Sequence, residues 1–183
     1  VGLMFYEKSP RCVSLEQAAA IVRALPPLVA KVGVFVDPTW EKVTEAVQRC
    51  GLDTVQLHGS EAPEFCARIP VKVIKAFRVR GPETLGAAAT YRGLAWLLDS
   101  YVPDQPGGTG ATFNWDLARE AVALNPHVIL AGGLTAANVA TAIRRVQPFA
   151  VDVSSGVEST PGCKDVGKMR EFVTAVRSTW PSV

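Results

Sequence analysis

Leu94-Ala95-Trp96-Leu97-Leu98-Asp99 runs on into Ser100-Tyr101 and then into a glycine-rich run, Gly107-Gly108-Thr109-Gly110, before a helical pattern opens at Trp115. The apolar residues read as a buried strand, and Asp99 as a carboxylate at its C-terminal end. An acid in that place, followed by a loop able to move, is how an α/β barrel presents a catalytic group. A helix-capping acid ahead of an ordinary loop would use the same residues, so the flanking pattern has to separate the two.

Working back towards the start, residues 1–5 are apolar and read as a strand. Ser14 and Gln17 have the spacing of a capping box, and Leu15, Ala18, Val22 and Leu25 follow at helical intervals until Pro26-Pro27. Residues 29–36 read as a second strand. Asp37-Pro38 is expected to open the next helix as N-cap and first-turn proline, with Trp40, Val43, Val47 and Cys50 as its apolar stripe and Gly51 as its stop. Residues 54–57 form a third strand closed by His58-Gly59. A short helix is expected over 63–69, a fourth strand over 71–77 and an alanine-rich helix over 82–91.

Beyond the opening stretch, a helix is predicted over 115–124 and a strand over 127–132. Thr135 should cap a helix carrying Val139, Ile143 and Val146. Residues 149–155 read as a seventh strand, and Met169, Phe172, Val173 and Val176 mark a last helix. Strand and helix alternate seven times, and the strands are short and apolar rather than alternating. That suits parallel strands covered on both faces.

A doubly wound sheet and a (β/α)8 barrel both meet this pattern. No GxGxxG follows the first strand, whereas polar residues recur at strand ends, at His58, Asp99, Gly132 and Ser154-Ser155. The expectation is a single (β/α)8 TIM-barrel domain over 1–183 with seven of its eight βα units. The absent unit is expected ahead of Val1, where the chain begins inside an apolar run without a Met.

Composition narrows the function. Hydrophobic residues make up 48% of the 183, which is ordinary for a globular protein in water. The net charge of +2 comes with no Lys/Arg run, which gives no support for nucleic-acid binding. No apolar run reaches the length of a membrane span, and no signal peptide is visible. Cys12, Cys50, Cys66 and Cys163 form no CxxC pair and have no metal-like spacing with His58 or His127. They are expected to be free thiols of a cytoplasmic protein, with one disulfide as the alternative.

Two glycine-bearing strand ends come last in the chain: Gly132-Gly133, and Ser155-Gly156. Glycine lets backbone N–H groups approach an anion closely, and the loops after the last two strands of a barrel commonly hold phosphate. Gly132, Gly133, Ser155 and Gly156 are therefore the phosphate candidates, against a plain tight-turn role. Strand parity puts Gln56 and His58 on one face, Val73, Lys75 and Phe77 on another, and Asp152 with Ser154 on a third. Lys75 and Asp152 are charges inside strands, costly to bury unless paired or wet. Either lines the barrel mouth or belongs to a structural ion pair. His58 is a site residue or a hydrogen-bonded loop anchor. Arg11 could pair with a substrate carboxylate or be a surface arginine. Cys12 has no neighbouring base and is read as structural.

These segments resemble phosphoribosylanthranilate isomerase, a barrel family of tryptophan biosynthesis. The matching pieces are Gly2-Leu3-Met4-Phe5 with Lys8-Ser9-Pro10-Arg11, Val32-Gly33-Val34-Phe35-Val36, Val55-Gln56-Leu57-His58-Gly59 and Ile74-Lys75-Ala76. Leu97-Leu98-Asp99, Gly107-Gly108-Thr109-Gly110 with Thr112-Phe113-Asn114-Trp115, and Leu130-Ala131-Gly132-Gly133-Leu134 continue the likeness. The most specific piece runs from Pro148 through Asp152-Val153-Ser154-Ser155-Gly156-Val157-Glu158, with Pro161-Gly162-Cys163-Lys164-Asp165 after it.

The resemblance implies an Amadori rearrangement of N-(5-phosphoribosyl)anthranilate to 1-(2-carboxyphenylamino)-1-deoxyribulose 5-phosphate, with no metal and no organic cofactor. It implies Asp99 as general acid and Arg11 on the anthranilate carboxylate. His58, Lys75, Asp152 and Gly108 are the further substrate-binding candidates, the loop around Gly108 closing over the substrate. The partner implied is a phosphorylated small molecule, with no nucleic acid or membrane, and a monomer or homodimer. The family's general base is the cysteine of a Lys-Ile-Cys-Gly strand that has no counterpart here, so little activity is expected of this chain alone. The alternatives are a barrel that binds a phosphorylated ligand without turnover, or an enzyme like indole-glycerol-phosphate synthase.

Overall fold

The computed structural model describes residues 1–100 and 115–179, in two compact units. The first holds Val1–Ala76 with Tyr91–Leu94, and the second Phe77–Thr90 with the chain from Ala95 on.

In the first unit, strands β1 (Gly2–Met4), β2 (Val32–Phe35), β3 (Thr54–Leu57) and the start of β4 (Lys72–Val79) are neighbours in that order, and each pair is parallel. The register sets Met4 beside Val34, Val34 beside Gln56, and Leu57 beside Lys75. Helices α1 (Leu15–Ala24), α2 (Trp40–Cys50) and α3 (Pro63–Ala67) alternate with the strands. Leu3, Phe35, Val43, Ala46, Val55, Leu57 and Cys66 form the buried core, drawn from strands and helices alike. The capping box predicted for α1 is present: Gln17 N–H donates to Ser14 Oγ at 3.2 Å, and Ser14 N–H to Gln17 Oε1 at 2.8 Å.

Asp37 is not the cap of α2. Thr39 is, accepting from Lys42 N–H at 3.3 Å. Asp37 lies at φ +46°, outside the extended region an N-cap takes, and its Oδ1 accepts from Ser60 N–H at 2.6 Å instead. The helix ends where expected, at Gly51 with φ +59°.

In the second unit, the end of β4, β5 (Ala95–Ser100), β6 (Val128–Leu130) and β7 (Ala150–Val151) are neighbours in that order. The β5–β6 and β6–β7 pairs are parallel, with Leu97 beside Ile129 and Leu130 beside Val151. Its helices are α4 (Glu83–Ala88), α5 (Trp115–Leu124), α6 (Val139–Val146) and α7 (Val166–Arg177). The predicted 149–155 strand shrinks to Ala150–Val151. Its ladder continues only to the bond from Asp152 N–H to Leu130 O, 2.8 Å, before Ser154 takes φ −121°, ψ −81°. A 3-10 turn over Ser155–Val157 follows, then an antiparallel hairpin of β8 (Glu158–Thr160) and β9 (Cys163–Lys164) that the apolar pattern did not predict. The cap position of α6 is Asn138 rather than Thr135. Asn138 Oδ1 accepts from Thr135 N–H at 2.8 Å, so its side chain closes the turn ahead of the helix.

All four cysteines are free. Cys12 and Cys163 are exposed, whereas Cys50 and Cys66 lie in the core, and burial pushes both of those thiols above the ordinary range. A thiol reagent at pH 8 should therefore modify Cys12 and Cys163 in the folded protein and reach Cys50 and Cys66 only after denaturation, as counted by mass spectrometry.

Candidate active site

The first unit builds its polar centre around Lys75. Parallel pairing places this residue beside Leu57, the last of β3, with only 2% of its side chain exposed. Its ammonium donates to the carbonyls of Gly59 at 2.8 Å, Ala76 at 3.0 Å and Leu57 at 3.3 Å. Glu61 Oε2 stands 3.1 Å away, on a carboxylate that is 3% exposed. The Glu61 carboxylate also accepts from Asp37 N–H at 2.9 Å, and from Gly59 N–H at 3.0 and 3.1 Å. Asp37 Oδ1 in turn accepts from Ser60 N–H at 2.6 Å, and Tyr91 donates its hydroxyl to Glu61 O at 2.9 Å. Burial pushes the Tyr91 hydroxyl up from its usual range.

A carboxylate and an ammonium this deep repay their lost hydration only when every remaining site is hydrogen-bonded. The loops after β2 and β3 supply those bonds, and the pair holds both loops. His58 sits on the held segment. Its N–H donates to Phe35 O at 2.8 Å, and its Nδ1 lies 3.4 Å from Gln56 Nε2, the two side chains sharing a face as parity requires. Of the two readings of Lys75, the geometry matches the ion pair. The sequence reading missed Glu61. The signal available was Lys75 itself: a strand-borne lysine needs an acid within reach, and Glu61 is the acid in the loop after the neighbouring strand.

Arg11 lies in the loop after β1, half-buried. That loop turns back along its own strand. Cys12 bridges to Met4, Val13 N–H donates to Met4 O at 2.9 Å, and Arg11 N–H donates to Ser9 Oγ at 3.2 Å. Arg11 is thus held beside the C-terminal end of β1.

In the second unit, Asp99 follows Trp96, Leu97 and Leu98, all buried, and is itself half-buried near the end of β5. The glycine loops follow β6 and β7. Gly132 and Gly133 have φ +81° and +63°, where a side chain would be strained. Gly156 is a glycine for a different reason: a Cβ there would strike the carbonyl oxygen of Leu134. The two loops meet backbone to backbone where Gly156 abuts Leu134, the residue after Gly133. Asn138 Nδ2 donates to Gly133 O at 3.0 Å and braces the first loop. Asp152 is exposed. Gly108 and its loop lie outside the described residues. Among the described residues, no three His, Cys, Asp or Glu side chains gather as a metal site, and no helix is long and apolar enough to cross a membrane.

A profile of the family described as N-(5'phosphoribosyl)anthranilate (PRA) isomerase matches residues 1–175. The chain belongs to this family. It is similar to the N-(5'-phosphoribosyl)anthranilate isomerase of Pelobacter propionicus, 52% identical over 179 residues that span 98% of this chain and 85% of that one. The crystal structure of the Thermotoga maritima phosphoribosyl anthranilate isomerase matches at TM-score 0.92 and 42% identity, over 97% of this chain and 87% of that one. A family structure in complex with reduced 1-(o-carboxyphenylamino)-1-deoxyribulose 5-phosphate matches at TM-score 0.88 and 39% identity, with the same coverage. The fold class is that of the (β/α)8 barrel, and seven of its βα units lie among the described residues.

Glu61→Gln removes the charge that answers buried Lys75 and should cost about 3 kcal/mol of stability, read by urea denaturation. A loss below about 0.5 kcal/mol would mean that the three carbonyls, without Glu61, suffice for the ammonium.

Proposed function

We propose that the chain carries the isomerase chemistry of its family, turning N-(5-phosphoribosyl)anthranilate into 1-(2-carboxyphenylamino)-1-deoxyribulose 5-phosphate in tryptophan biosynthesis. The observation that carries this reading is the family match over residues 1–175. The paired glycine loops and the half-buried strand-end acid support it from the geometry.

Asp99 gives a proton to the furanose ring oxygen, and the ring opens to an iminium. The iminium draws electrons from C2–H, a base removes that proton, and the enolamine formed tautomerises to the ketone. Backbone amides of Gly132, Gly133, Ser155 and Gly156 hold the phosphate, and Arg11 holds the anthranilate carboxylate through paired charged hydrogen bonds. His58 and Asp152 contact the substrate. Lys75 serves binding through the His58-Gly59 loop it holds, since its own ammonium is taken up by Glu61 and three carbonyls. The reaction asks for no metal or organic cofactor. The chain works in the cytoplasm as a monomer or homodimer, with a phosphorylated small molecule as its partner.

Burial pushes the Cys50 and Cys66 thiols up, which works against the thiolate that a cysteine base needs, so neither is assigned the removal of the C2 proton.

In the active enzyme, Asp99→Asn should lower kcat by about 10²-fold or more with KM little changed. Arg11→Met should mainly raise KM, by about tenfold. Steady-state kinetics on both variants assigns the two roles, and a normal kcat for Asp99→Asn would take the acid role from that residue.

A further inference from the structure

The hairpin after β7 carries a second ion pair, on a buried carboxylate, that the mechanism leaves unused. Glu158, the first residue of β8, has a side chain only 4% exposed, and Lys164 of β9 reaches it at 2.8 Å. The same Lys164 ammonium donates to Ser154 O at 3.0 Å and lies 3.4 Å from Ser154 Oγ. From α7, Lys168 Nζ donates to Glu158 O at 2.8 Å, and Asp165 N–H donates to Val157 O at 2.8 Å.

We propose that Lys164 is a positioning residue that clamps the Ser154–Gly156 loop in its phosphate-receiving conformation, with Glu158 as the fixed anchor of the clamp. The inference rests on the reading of Ser155 and Gly156 as phosphate ligands. Ser154 departs from both helical and extended backbone, and the 3-10 turn that follows holds its carbonyl by one long bond, from Val157 N–H at 3.4 Å. On one side, Gly156 abuts the Leu134 carbonyl. On the other, the sole charged grip on the Ser154 carbonyl among the described residues is the ammonium of Lys164. A hairpin needs no buried carboxylate for its own stability, and apolar packing would serve as well. A buried acid that aims a lysine at the carbonyl next to two phosphate-ligand candidates has a use in setting where their amides stand. The loop is thereby pre-organised, and binding does not have to supply the ordering.

A titration of the 183-residue chain with inorganic phosphate, followed by the NMR amide shifts of Ser155 and Gly156, tests this. Wild type should saturate, and Lys164→Met should weaken phosphate by about tenfold while the remaining amide spectrum stays folded. Lys164→Arg should recover most of the loss. Glu158→Gln is the decisive variant, because removing a negative charge near an anion would tighten binding by field alone. A clamp predicts weaker binding instead, by several-fold. Tighter binding in Glu158→Gln, or unchanged binding in Lys164→Met, overturns the clamp and leaves the phosphate site standing. Should Lys164→Met not fold, Lys164→Gln carries the same comparison. Absence of saturable shifts in wild type overturns the phosphate reading itself, and the clamp with it.

Discussion

A lysine ammonium with 2% of its side chain exposed is the constraint around which the first unit is arranged. Parallel strands covered on both faces leave few places for a charge, so Lys75 draws every acceptor it can reach. Three carbonyls and the Glu61 carboxylate answer it. Glu61 in turn takes N–H groups from Asp37 and Gly59, and Asp37 takes one from Ser60. Two loops are thereby specified by the demand of one charge, and the backbone of His58 lies on one of them.

The second unit solves its own version of the problem with different chemistry. Its glycine loops approach so closely that the Leu134 carbonyl fills the space a Cβ of Gly156 would need. Buried Glu158 then plays towards Lys164 the part that Glu61 plays towards Lys75, with the difference that Lys164 is 40% exposed. Neither pair is an efficient way to stabilise a core, since desolvation offsets most of the Coulomb gain. Each contributes placement: a charged donor meets a carbonyl at a fixed distance, and the neighbouring amides follow.

Much of this was legible residue by residue. The strand over Thr54–Leu57 and the helix over Trp115–Leu124 stand where periodicity set them, and the Ser14–Gln17 capping box has both of its hydrogen bonds. These are local signals, decided by side chains a few positions apart. The misreadings have a common cause. Asp37 has the chemistry of an N-cap, but the amide of Ser60, distant in the chain, takes its carboxylate. The stretch over 149–155 is apolar enough for a full strand, but only two of its residues pair in β7. The hairpin of β8 and β9 has no apolar alternation to announce it, and a lysine–glutamate pair supports it instead.

The sequence by itself determined the alternation of strand and helix, the parallel sheet and the candidate chemistry at strand ends, because burial periodicity and terminal residues are written in consecutive positions. The tertiary structure decided who partners whom. Lys75 meets Glu61 fourteen positions away in the chain, and Gly156 meets Leu134 across the β6 and β7 loops. Such pairings depend on which strand lies beside which and on how the loops leave their strand ends. A buried charge or a missing Cβ reveals its purpose only when the group opposite is in place.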